Sequence, residues 1–213
     1  MIIPNAQFSS VIQLNGAQKK STHTQGPAIV ENNIIKGVIF KDCAFKSITF
    51  NNCRFINCSF VKGDIDHCIF KNCKFDGVSW ETLNITNALF DKCTYTQNQF
   101  EAVICFKSQF LESKFDDNCI FKATDLSESK LTKCKLDMVT FIASLSNKNT
   151  FNNCIISNSK WSNMDLTKIN FKQIAPITNI QIKHCDCTGQ SLKGINIEGA
   201  KIRYSNISDL SIS

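Results

Sequence analysis

The side chains of this chain that can do chemistry are twelve cysteines, three histidines and a scatter of carboxylates and cations, spread over 213 residues. The densest cluster, His184-Cys185-Asp186-Cys187, has the residue types of a zinc site. Asp64, Asp125 and Asp165 are candidates for paired-carboxylate acid–base work. His23, His67 and His184 are candidate bases or ligands. Arg54, Lys74, Lys114 and Lys135 recur every 20 or 21 residues if Thr94 fills the gap, and they are candidates for gripping phosphates or an acidic partner. No glycine-rich phosphate loop, nucleophile elbow or HExxH sequence occurs.

Whether any of these groups converge depends on the elements that carry them. From Val30 onward, large apolar residues recur every five positions, as in Phe40, Phe45, Phe50, Phe55, Phe60, Ile65, Phe70, Phe75 and Trp80. The beat slips by one residue near Asp116–Asn118 and again near Ala175–Pro176, then runs to Ile212. Fifteen of the 17 Phe lie on it. A second beat, two residues earlier, prefers small side chains and holds ten of the 12 Cys; Cys105 and Cys187 take the large beat instead. Five fits neither the 3.6 period of a helix nor the 2.0 period of a long strand. It fits three extended residues followed by a corner, with residues two apart pointing the same way. Four such sides close a square coil. Cys53, Cys73, Cys93, Ser113, Cys134 and Cys154, spaced 20, 20, 20, 21 and 20 residues, then stack on one side.

Runs such as Cys43-Ala44-Phe45-Lys46-Ser47, Cys53-Arg54-Phe55-Ile56-Asn57 and Cys73-Lys74-Phe75-Asp76-Gly77 resemble the pentapeptide-repeat family. The resemblance covers residues 28–212 and implies an all-β fold, a right-handed quadrilateral parallel β-helix of about nine coils. The chain departs from the commonest family pattern in using Cys more than Ala at the small position and Phe more than Leu at the large one. Residues 28–213 are expected to form the β-helix. Residues 1–27, apolar at Phe8, Val11, Ile12 and Leu14, form an N-terminal cap or flexible segment. With only 8 Gly and 3 Pro, few tight turns are signalled. Residues 143–150 lose the large residue and are expected to form a small loop or bulge.

Applied to the candidates, this register separates them. Cys185 and Cys187 point inward and His184 and Asp186 outward, so the cluster reads as core packing. Every cysteine falls at an inward position and reads as a small buried hydrophobe with a free thiol. Asp64, Asp125 and Asp165 share one side but sit two or three coils apart, about 10–14 Å at the strand spacing, and read as a solvated face. His67 and His184 fall at exposed corners with no partner visible. No catalytic residue, metal site or cofactor is expected. Arg54, Lys74, Lys114 and Lys135 stack on one side as a candidate interaction patch, with Asp76, Asp116 and Asp137 two residues later on the same face.

Formal charge is +6, of which Lys19 and Lys20 supply two. The remainder is too dilute to announce nucleic-acid binding. The start, MIIPNAQFSS, shows no secretory signal and no stretch is apolar enough to span a bilayer. A cytoplasmic location follows, although export to a host cell without a cleaved signal would leave the same sequence. Within the family, quinolone-resistance proteins of the Qnr type bind DNA gyrase through an acidic rod thought to imitate duplex DNA. That reading is the alternative here, and the positive charge opposes it. A beat reaching Ile212 also leaves no room for their C-terminal dimerisation helix. The leading reading is a non-enzymatic protein-interaction scaffold of the pentapeptide-repeat type, with a bacterial effector as its origin. Its partner is an unknown protein, neither nucleic acid nor membrane, with a weak dimer through the coil ends as a further expectation.

Overall fold

A computed structural model describes residues 2–4, 7–8, 28–147, 150–193 and 195–211. These residues form a parallel β-solenoid of about nine turns, whose one helical element is the 3-10 turn Phe171–Gln173. Each side of a coil is a strand of about three residues, with the large residue at its centre: Phe50, Phe55, Phe60 and Ile65 make one circuit. Every strand pair between coils is parallel. Phe50 lies beside Phe70, Phe70 beside Phe90, and Phe90 beside Phe110, so the step is 20 residues. The four faces are named below after Phe50, Phe55, Phe60 and Ile65.

Both register slips are absorbed without breaking the stack. Phe100 pairs with Phe121, and the extra residue is taken up at a corner where Asp117 and Asn118 both adopt positive φ. The second produces a bulge, in which Cys154 and Ile156 face Ile174 and Ile177 across Ala175-Pro176.

The corners overturn the expectation of few tight turns. Nearly every one turns through a left-handed residue: among the described residues, 28 non-glycine residues have positive φ, including Asn32, Asn52, Asn57 and Asn72. Asn tolerates this region because its short amide can bond locally, so it does the work that Gly does in most turns. Even Thr82, β-branched and therefore poorly suited, is held at φ 53. The corner amide is tied to the next coil, as in Asn52 N–H to Lys71 O (2.9 Å) and Asn72 N–H to Asp91 O (2.9 Å). Repetition of this bond offsets the local strain. Gly63 is required for a different reason: a Cβ there would lie 2.2 Å from the carbonyl oxygen of Cys43.

Three faces stack aromatic rings along the rod. Phe50, Phe70, Phe90 and Phe110 overlap at 4.7–4.8 Å and within 6° of parallel. Phe55, Phe75, Tyr95 and Phe115 stack at 4.3–5.0 Å and within 13° of parallel on the next face. The Ile65 face is slimmer, continuing as Ile85, Cys105, Leu126, Ser146 and Leu166, all buried. Mixing one slim face with three aromatic ones lets the square core fill without overpacking.

In the segment 143–150, expected to form a small loop or bulge, the described residues keep the 20-residue register, and residues 148 and 149 lie outside the described residues. Leu145 bridges Asp125, its N–H bonds Thr124 O at 2.9 Å, and Leu131 pairs with Phe151, so no residue is inserted. Ser146 simply occupies a large-residue slot. Backbone bonds to the flanking coils hold the path whatever the side chain. On the same coil Trp161 leaves the ladder, lying 84° to Phe141 and nearly parallel to Phe151 across the core. At the N-terminus, Ile2–Pro4 pairs with Ile39–Lys41 and Gln7–Phe8 with Ala44–Phe45. The remainder of residues 1–27 lies outside the described residues, as do His23 and Lys148.

Candidate interaction face

All twelve cysteines are buried and free. Their role is more than that of small hydrophobes. Cys53, Cys73 and Cys93 each donate the thiol to a carbonyl 23 residues earlier, at 3.3 Å, and Ser113 Oγ does the same to Phe90 O at 3.1 Å. On this side of the coil the small beat holds side chains that are compact and carry one donor. Burial pushes the Cys105 thiol up to about 12 and the Cys68 thiol up to about 11, the opposite of what a nucleophile needs.

Asn98 is a member of this beat whose residue type conceals it. It is fully buried, donates to Phe75 O (2.6 Å) and Thr96 O (2.9 Å), and accepts from Trp80 Nε1 (3.1 Å). Asn is common at the corners, so nothing in residue type marked this one as internal; only its position on the beat did.

The remaining candidates fall as the register dictates, with two additions. Cys185 and Cys187 are buried while His184 and Asp186 are exposed, and no group of three or more metal-ligating side chains converges among the described residues. Asp64 and Asp125 are separated by Asn84 and Ile104 along the ladder. Asp165 is directly beside Asp186, a neighbour the sequence comparison had not paired with it. Each caps its own turn, Asp165 bonding Thr167 and Asp186 bonding Thr188; the Thr188 hydroxyl holds the Asp186 carboxyl below its usual range. His67, expected to be alone, has Asp66 Oδ1 at 2.7 Å from Nδ1. A shallow groove of about 300 Å³ is lined by Lys107, Ser108, Gln109, Glu128 and Lys130, and the Ser108 hydroxyl is turned inward to donate to Ile85 O at 2.9 Å.

The Phe55 face carries the candidate patch. Arg54 lies beside Lys74, Lys74 beside Thr94, Thr94 beside Lys114, and Lys114 beside Lys135. Two residues on, Asp76, Thr96 and Asp116 form a parallel row. The rows cross-link: Arg54 Nε bonds Asp76 Oδ2 at 2.7 Å, and Lys114 pairs with Asp116. Partial burial works against ionisation of Asp137, but hydrogen bonds from Ser157 and Asn158, with Lys135 and Lys114 nearby, hold its carboxyl below the usual range. Lys74 makes no ion pair among the described residues. The cation row ends at both limits on exposed isoleucines, Ile34 (69% exposed) and Ile155 (42%).

A sequence family described as pentapeptide repeats in eight copies matches residues 39–77. Residues 39–77 therefore carry pentapeptide repeats. No curated protein sequence matches it. Solved structures similar to this chain include QnrB1, a plasmid-mediated fluoroquinolone resistance protein, at 15% identity. That alignment has a TM-score of 0.45 and covers 82% of this chain and 92% of that one. HetL, a pentapeptide-repeat protein involved in heterocyst differentiation regulation from Nostoc sp., aligns at 11% identity and TM-score 0.28 over 88% of each chain. No described helix of this protein is long and apolar enough to cross a membrane.

Proposed function

We propose that this pentapeptide-repeat protein is a non-enzymatic scaffold that binds a protein partner through the Phe55 face. The supporting observation is the pair of opposed charged rows, Arg54-Lys74-Lys114-Lys135 beside Asp76-Asp116-Asp137, displayed on a rigid flat sheet and bracketed by exposed isoleucines. A phosphate polymer laid on the cations would meet the carboxylates as well. A protein surface with alternating charge and an apolar rim suits the face better, because charge pattern then fixes register while apolar contact supplies affinity. The strands are held by the ladder before binding, so the face costs little ordering on association.

The test is affinity capture with lysine crosslinking, comparing the wild type with the quadruple variant Arg54→Ser, Lys74→Ser, Lys114→Ser, Lys135→Ser. The expected result is a partner crosslinked through Lys74, Lys114 or Lys135 and lost in the variant, whose circular dichroism stays unchanged. Capture that survives the variant overturns the assignment. The alternative, a gyrase-binding DNA mimic, is opposed by the formal charge of +6; micromolar protein is expected to leave gyrase supercoiling unaffected. Delivery into a host cell as a bacterial effector is a finer form of the scaffold reading, supported by the Asn-, Lys- and Ile-rich composition and tested by a translocation reporter.

A further inference from the structure

The Phe60 face changes character along the rod. Up to Glu101 its outward residues mix both signs, as in Lys41, Lys62, Glu81 and Glu101; from Ile120 to Tyr204 they include no carboxylate. Lys122 is paired with Glu101 at 2.7 Å. The other four cations of this stretch, Lys160, Lys183, Lys201 and Arg203, make no ion pair among the described residues. They sit in two rows on three successive coils: Lys160 beside Gln181 beside Lys201, and Ser162 beside Lys183 beside Arg203.

The corner that borders these rows carries aromatic rings. His184 and Tyr204, both at positive φ, are one coil apart and stack at 5.3 Å with 17° between planes. Tyr204 is 76% exposed, and Lys183 Nζ lies 5.8 Å from its ring centroid. Earlier along the same edge this corner holds Thr82, Ala102, Ala123, Ala143 and Asn163; at 184 and 204 it carries a ring instead. Around that corner, the Ile65 face presents Asp165 and Asp186, which would repel an anion and confine it to the basic side.

We propose that this C-terminal stretch of the Phe60 face binds single-stranded nucleic acid, with a base stacked on the Tyr204–His184 pair and successive phosphates over Lys160, Lys183, Lys201 and Arg203. Unpaired cations beside an exposed stacking platform are the two elements that such binding combines. Arg203 supplies a fork that matches phosphate oxygens, and the lysines supply point charges. A duplex keeps its bases paired and away from the ring. An acidic polypeptide satisfies the cations and gains nothing specific from the rings. This surface is separate from the Phe55 face, and either assignment can fail alone.

The experiment is fluorescence anisotropy of the full chain with a labelled oligo-uridylate, a labelled duplex of equal length and labelled poly-glutamate, each titrated with salt. Oligo-uridylate is expected to bind at low salt with a log–log slope of about −3, as four contacts on a single strand require. Tyr204→Ala should weaken it about 5- to 100-fold at constant slope, and Tyr204→Phe should retain it. Lys183→Ser with Arg203→Ser should flatten the slope by about 1.4. Arg54→Ser with Lys74→Ser should change nothing. Equal affinity for the duplex, poly-glutamate binding with the same dependence on Tyr204, or indifference to Tyr204→Ala each overturns the proposal.

Discussion

Replacing Asn98 by Cys probes a place where the core relies on a side-chain amide. The thiol keeps a donor for Phe75 O, as Cys119 Sγ does toward Tyr95 O at 3.3 Å on the neighbouring coil. Its sulfur is only a weak acceptor for Trp80 Nε1, so this buried donor loses most of its bond at a cost of about 1–3 kcal/mol. Asn98→Ala loses the bond to Phe75 O as well, and is expected to cost about 2–4 kcal/mol. Trp80→Phe removes the indole donor, so the double variant Asn98→Cys with Trp80→Phe should be more stable than the sum of the single changes by about 1–2 kcal/mol. Trp161 is the internal control, because its buried Nε1 has no hydrogen-bond partner among the described residues; Trp161→Phe should show no such coupling with Asn98. Urea melts followed by far-ultraviolet circular dichroism, at unchanged m-value, measure all of these. Asn98→Cys within about 0.5 kcal/mol of wild type, or an additive cycle, would refute the account of why the small beat breaks its rule here.

Phe75, stacked at 5.0 Å between Phe55 and Tyr95, should cost about 3–5 kcal/mol when cut to Ala, while the outward Lys74→Ser should cost under about 0.5 kcal/mol; equal shifts in the same melts would contradict the inward and outward assignment. Ala102 at φ 52 and Thr82 at φ 53 occupy left-handed corners, so Ala102→Gly and Thr82→Asn should each stabilise by about 0.5–1 kcal/mol, and a loss at both would show that the corners are not strained. Titrating thiols in freshly denatured protein should find all twelve, and alkylation of folded protein at pH 8 should find almost none. Buried thiols held neutral, with Cys105 raised to about 12 and Cys68 and Cys119 to about 11 from 9.0, contribute stability that is fully present below pH 9. It falls as pH rises from 9 toward 12, because the unfolded chain releases protons that the native chain retains. A melting temperature flat across that window would contradict the burial of these groups.

Much of the architecture was legible before any coordinates. A five-residue period fixes which side chains face inward, and that single fact placed Phe75 in the core, turned Cys185 and Cys187 inward and His184 and Asp186 outward, and stacked Arg54, Lys74, Lys114 and Lys135. In a solenoid, contacts lie one coil apart, so linear spacing translates directly into neighbours. What spacing leaves open is direction and partnership within a position. Asn98 occupies an inward slot like any other, yet only the packed core brings Trp80 Nε1 to its amide. His67 and Asp66 are adjacent in sequence, but their bond depends on how the corner turns. The corners themselves were misjudged, because composition counts glycine while the ladder tolerates Asn, Lys and Thr at positive φ through bonds to the next coil. Nor does charge along the chain announce the four unpaired cations beside Tyr204. They are scattered from Lys160 to Arg203 among acidic residues, and only coiling sorts the acids onto other faces.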